Sequence, residues 1–137
     1  MNTPQNEAWT RALEKLQRFV PKAASFSAEE IAHAAQVAQK PVNWRQIRDF
    51  DDLDDIEIWQ RIRPVGNETE DNQVTLIADA CFMNDIGPIT TSSAGLAPLI
   101  EDFVDHYDDQ LFGGDVIIMF PLTLLVVHHD GLVAELK

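Results

Sequence analysis

The longest apolar run in the chain, residues 116–127, most strongly limits how the chain folds. It is interrupted by Pro121 and Thr123, and it is too short for a membrane helix, which needs about 20 apolar residues. Asp130 and Gly131 follow closely, and this dipeptide is a strong signal for a β-hairpin. We therefore expect buried strands at 115–120 and 122–128, and a further strand at 132–136 after the turn.

The spacing of apolar residues predicts three helices and two more strands in the rest of the chain. The helices are expected at 4–20, 28–39 and 96–112, the strands at 56–64 and 73–82, and a loop at 84–95. Gly113 and Gly114 are expected to end the third helix. This order predicts an α+β fold with helices on one face of a largely antiparallel sheet of about five strands. A parallel pairing of 73–82 with 115–120 is the open alternative.

The charge of the chain is divided unevenly along its 137 residues. Residues 1–48 carry seven Lys and Arg against four Asp and Glu, whereas residues 49–137 carry three against nineteen. Because no repeat or linker separates the two parts, we expect a single α+β domain over 1–137 with a basic helical part and an acidic sheet-and-helix part. The net charge of -13 argues against direct binding to nucleic acid or to an anionic membrane.

The location is predicted from cysteine usage and from the N-terminus. The single cysteine, Cys81, excludes an internal disulfide, and the first twenty residues lack the apolar core of a signal peptide. We therefore expect a cytoplasmic protein. Cys81 lies in an acidic region that disfavours a thiolate, so it is expected to be buried and inert.

The third predicted helix carries acidic residues away from its apolar stripe. Charged runs usually form a solvated face, but this helix has no Lys or Arg to offset their repulsion, and two of the acids occupy its last turn, where the helix dipole disfavours anions. Such a face suits a basic partner. The predicted partner-binding residues are Glu101, Asp102, Asp105, Asp108 and Asp109.

The acidic segment 49–57 is expected to extend this surface, or else to be an Asp-rich turn. Asp54, Asp55 and Glu57 form a second group of partner-binding candidates. Trp59 shares a predicted strand face with Glu57, so we expect it to be partly exposed and to serve as an interface anchor. The segment lacks the ligand spacing of an EF-hand, which argues against calcium.

Two adjacent histidines, His128 and His129, are expected at the end of a strand. Adjacent strand residues point to opposite faces, so the pair is not expected to ligate one metal ion without a bulge. No other His, Cys or acid pair has a metal-ligand spacing. The sequence therefore predicts no metal site and no cofactor.

The C-terminal third resembles bacterial toxin-immunity proteins, the cytosolic antitoxins of contact-dependent or secreted toxins. The residues that carry the resemblance are the segment LFGGDVII at 111–118 and the hairpin VHHDG at 127–131, within a likeness that spans about 96–136. The resemblance implies one-to-one inhibition of a cognate toxin, often a basic nuclease. It supplies no contact residues.

The leading hypothesis is a non-catalytic acidic protein that neutralises a cognate, basic toxin by covering its active or substrate-binding site. One alternative is a small metal-dependent hydrolase that uses His128, His129, Asp79 or Asp85 at strand ends. Another is an adaptor or homo-oligomer that associates through the alanine-rich second helix.

Overall fold

The structure, a computed structural model, describes residues 4–19, 44–63, 73–78, 81, 86–108 and 110–136. Three α-helices lie in these ranges: α1 is Pro4–Gln17, α2 is Asp55–Ile62 and α3 is Ser93–Tyr107. Six strands accompany them: β1 Arg45–Gln46, β2 Gln73–Ile77, β3 Ile89–Ser92, β4 Val116–Met119, β5 Leu124–Val127 and β6 Leu132–Leu136. The short segments Phe50–Asp52 and Leu111–Gly113 are 3₁₀ turns.

The six strands form one antiparallel sheet in the order β1-β6-β5-β4-β2-β3. The central strands β4 and β5 are buried at every position, because helices cover both faces of the sheet. On one face α2 and α3 pack over the even-numbered residues of β2 and β4, such as Leu76 and Ile118. On the other face α1 packs over Ile117 and Val126.

The α+β class and the antiparallel sheet are thus confirmed, with six strands where about five were expected. The expectation that the helices share one face is wrong, because α1 lies on the opposite face from α2 and α3. The alternating burial that marks a one-sided sheet is missing in β4 and β5, whose continuous apolar sequences fit a sheet covered on both sides.

The segment predicted as a strand at 56–64 is instead helix α2. Its buried residues, Asp55, Ile58, Trp59 and Ile62, are spaced by three, one and three residues, which is the pattern of one helical face. The isoleucines at 56, 58 and 62 imitate a period of two, but the helix buries Trp59 in place of Ile56. A capping box at its start settles the local choice in favour of the helix.

The loop expected at 84–95 contains the edge strand β3, which pairs with β2. Because β3 reverses the chain and α3 returns it, β4 runs antiparallel to β2, so the parallel alternative is wrong. Helix α3 ends at Tyr107, before the two glycines at 113 and 114, since Asp108 adopts a left-handed conformation with φ 57°. The helix expected at 28–39 lies outside the described residues.

Among the described residues, no helix combines the length and the apolar character that a bilayer crossing requires.

Candidate functional site

Helix α3 presents an acidic face to solvent because its apolar stripe packs in the core. Leu96, Ile100 and Phe103 are buried against the sheet, while Glu101, Asp102, Asp105 and Asp108 are exposed. In the part of the chain that the structure describes, none of these four carboxylates forms an ion pair with Lys or Arg. Asp109 is outside the described residues. The acidic face of α3, meaning these four residues, is therefore uncompensated by any described cation.

Helix α2 adds two more exposed acids, and both also stabilise its N-terminus. Asp54 Oδ1 accepts a hydrogen bond from the Glu57 backbone N–H at 2.9 Å, and the Asp54 N–H donates to Glu57 Oε1 at 3.2 Å. This reciprocal pair satisfies donors that a helix start leaves without intrahelical partners. Both carboxylates stay at the surface of α2, which packs against α3.

Asp55 and Trp59 lie on the inner side of α2. Asp55 is buried, and its carboxylate accepts hydrogen bonds from the backbone N–H groups of Leu111 at 2.8 Å and Phe112 at 3.2 Å. Trp59 is only 5% exposed and stacks on Phe120 with 6.4 Å between the ring centroids. The expectation that Trp59 is partly exposed is wrong, because the segment is a helix that turns this side chain inward.

A groove of about 260 Å³ lies between α2 and α3. Its lining contains both apolar and acidic side chains, and the exposed apolar member is Val104, which is 45% exposed. The complete lining is Asp54, Asp55, Ile56, Ile100, Glu101, Val104 and Gln110. We call this feature the α2–α3 groove. Val104 lines the groove, but the sequence does not predict it as a binding residue. Its spacing from Ile100 and Phe103 instead predicts a place in the buried apolar stripe.

A second constellation forms where β4 begins and β5 ends. Val116 pairs with Val127, so the strand register sets Asp115 beside His128 and His129. The His129 backbone N–H donates to Asp115 Oδ1 at 2.9 Å, and His129 Nδ1 lies 2.9 Å from the same oxygen. The ligand atoms of these three residues all lie within 4.8 Å of one another.

The hairpin turn overturns the expectation that the two histidines point to opposite faces. β5 ends at Val127, and the Gly131 N–H donates to the His128 carbonyl at 2.9 Å, so His129 is a turn residue. The two imidazoles stack with their centroids 4.1 Å apart. Gly131 closes the turn with φ 88°, and a Cβ at this position would lie 2.8 Å from Phe50 Cγ.

Of the other candidate catalytic residues, the structure describes only Cys81. Cys81 is buried, as expected, and its sulfur accepts from the Ala78 N–H at 3.4 Å. Asp79 and Asp85, which the hydrolase hypothesis uses, lie outside the described residues, as does the alanine-rich segment of the oligomer hypothesis.

Comparison of the chain with protein-family models, curated proteins and solved structures finds no match. The resemblance to toxin-immunity proteins therefore stays a prediction.

Proposed function

We propose that the chain is a non-catalytic binding protein that docks a basic partner protein in the α2–α3 groove. The observation that carries the proposal is the combination of exposed Val104 and Glu101 in the groove with the uncompensated acidic face of α3 beside it. An apolar centre supplies affinity when water leaves it, and the surrounding charges select a partner of opposite sign.

The wider charge distribution supports the same kind of partner. Nineteen of the 23 acidic residues lie after residue 48, and the chain as a whole carries a net charge of -13. Such a field attracts a cationic protein over distances of about 10 Å at ordinary ionic strength and accelerates the encounter. The carboxylates of the acidic face of α3, of which Glu101 also lines the groove, then fix its orientation.

The finer proposal is that the partner is a toxin, and that the chain neutralises it by covering a site that normally binds phosphates. A nuclease groove is lined by Lys and Arg, so a carboxylate-rimmed groove complements it. The toxin-immunity resemblance of residues 96–136 favours this partner. The partner's activity on DNA or RNA would be lost in the complex.

The groove and the acidic face of α3 are tested together by a double charge reversal, Glu101→Lys with Asp105→Lys, called the groove variant. Glu101 lines the groove, and Asp105 is an exposed residue of the acidic face one helical turn further along α3. The matched control, Glu7→Lys with Glu14→Lys, makes the same change in net charge at exposed positions of α1, on the other face of the sheet. Each variant and the wild type is immobilised, and the source organism's lysate is passed over it at low salt. One stoichiometric basic protein should bind the wild type and the control but not the groove variant.

Affinity and inhibition are then measured with that purified protein. Loss of desolvated charge pairs typically costs about 2–5 kcal/mol, so the groove variant should bind at least about thirtyfold more weakly. Equal affinity of both variants would refute docking at the groove. If the groove variant alone loses binding, but the wild type leaves the partner's nuclease activity intact, the docking proposal stands and the toxin proposal fails.

A further inference from the structure

We propose that Asp115, His128 and His129 form a binding site for a divalent transition-metal ion of the zinc type. The site lies at the β5–β6 turn and involves none of the residues that line the α2–α3 groove. Two imidazoles and one carboxylate are the donor set that suits Zn²⁺ and its first-row neighbours, whereas calcium and magnesium favour sites made of oxygen alone.

The backbone brings the three side chains together before any ion is present. The β4–β5 register fixes Asp115, and its carboxylate is held by the His129 backbone N–H at 2.9 Å. The hairpin turn fixes both rings on one side, since their centroids are 4.1 Å apart. A metal ion therefore meets ligands that are already gathered, which lowers the ordering cost of binding.

The spacing of the donor atoms is close to what a zinc ion requires. Ligands about 2.0–2.1 Å from a tetrahedral ion lie about 3.3 Å from one another. The three donors here lie within 4.8 Å, and the Asp115–His129 pair is already at 2.9 Å. The His129 side chain is 52% exposed, so it can turn through the remaining distance without disturbing the core.

Contacts from neighbouring groups hold the His128 ring in place. The Asp130 N–H donates a hydrogen bond to His128 Nδ1 at 3.1 Å. Trp44 packs edge-on against the His128 ring at 6.4 Å and restrains its orientation. The carboxylate of Asp130, 3.6 Å from a nitrogen of each histidine, adds negative charge beside the site.

Three protein ligands leave one tetrahedral position open, which a water molecule or a side chain of a partner would fill. An ion held there would join the start of β4 to the β5–β6 turn. Because it binds the folded chain, it would also raise the melting temperature, by about 5 °C or more at a hundredfold excess over Kd.

The test uses the full-length chain without a histidine tag, freed of metal by a chelator. Zn²⁺ binding is measured by titration calorimetry, and Co²⁺ is added separately because its visible absorption reports a tetrahedral site with nitrogen ligands. We expect one Zn²⁺ ion per chain with a Kd of about 10⁻⁶ M or lower, because the fold has already gathered the donor atoms.

Two variants test the ligands, and a third variant is the control. His129→Ala removes an exposed ring and keeps the backbone bond to Asp115, so the chain should fold and bind Zn²⁺ at least about tenfold more weakly. Asp115→Asn should weaken binding as well. His106→Ala is the control, since His106 is an exposed histidine on α3 outside the cluster, and it should bind as the wild type does.

Two results would overturn the proposal. One is a wild-type chain that shows no saturable Zn²⁺ binding up to millimolar ion. The other is Zn²⁺ binding with the same affinity in His129→Ala as in the wild type, which would assign the ion to other groups. Neither result bears on the α2–α3 groove, because partner capture is measured separately.

Discussion

Tyr107 is the only tyrosine in the chain, so its phenol can be followed without interference from another one. Its ring packs against Phe103 at 4.5 Å and meets the His106 ring edge-on at 4.5 Å. Burial raises the pKa of this phenol above 10, and its electrostatic interaction with Cys81 raises the pKa further. The folded chain thus holds the phenolic proton more tightly than the unfolded chain does.

The sign of this shift gives a prediction for alkaline pH. Tyr107 contributes stability that is fully present below pH 10 and is lost as the pH rises through the folded-state pKa. Absorbance near 295 nm should show one phenolate step with its midpoint above 10 in the folded chain. Tyr107→Phe should abolish the step. Between about pH 9 and pH 11 its unfolding free energy should also fall less steeply than that of the wild type, because the variant lacks this titrating group. A midpoint below 10 would contradict the prediction.

At the scale of elements, the sequence of helix α2 contains clear helix signals together with a competing strand-like pattern. Asp54 and Glu57 already form the S/T/D-x-x-E pattern of a capping box, and Ile58, Trp59 and Ile62 follow at helical spacing. Ile56 adds an apolar residue at a spacing of two from Ile58, which is typical of a strand, and the aspartates before it are typical of a turn. Strand β3 was harder to predict, because a short polar edge strand acquires its structure only by pairing with β2.

Asp55 links α2 to the 3₁₀ turn at Leu111–Gly113, and this link should be one of the costliest to break. Replacing Asp55 by Ala removes the acceptor for two backbone N–H groups at buried residues. We expect Asp55→Ala to lower the free energy of unfolding by about 2–4 kcal/mol, measured by urea denaturation. Asp52→Ala, at an exposed position of the preceding 3₁₀ turn, should change it by less than about 0.5 kcal/mol. Equal losses would assign no special role to the buried carboxylate.

At the scale of the whole molecule, local patterns predicted the class of the fold but not the sites that depend on register. The strands at 116–119, 124–127 and 132–136 all fall within expected segments, because apolar runs and the Asp130-Gly131 turn are local signals. Asp115 lies beside His128 and His129 only because β4 pairs with β5. The separation of these residues along the chain does not reveal that pairing. The same holds for Val104, whose exposure depends on how α2 packs on α3.

The distribution of charge over the molecule leads to a prediction about stability. Glu101 and Asp105 are like charges one helical turn apart, and Asp105 lies near the C-terminal end of α3, where the dipole is negative. If these carboxylates are kept for a partner, they should cost the free chain stability, as functional residues often do. The double variant Glu101→Gln with Asp105→Asn should then be more stable than the wild type by about 0.5–1 kcal/mol at low salt.

Urea denaturation in 10 mM and in 500 mM NaCl measures both the gain and its origin. The gain should shrink at high salt, where the screening length falls to about 4 Å and repulsion between exposed charges fades. The same variant should lose affinity for the captured partner. A variant that is less stable than the wild type at low salt would mean that these carboxylates support the fold. The acidic face of α3 would then be a structural feature, and the case for an electrostatic docking surface would lose its physical basis.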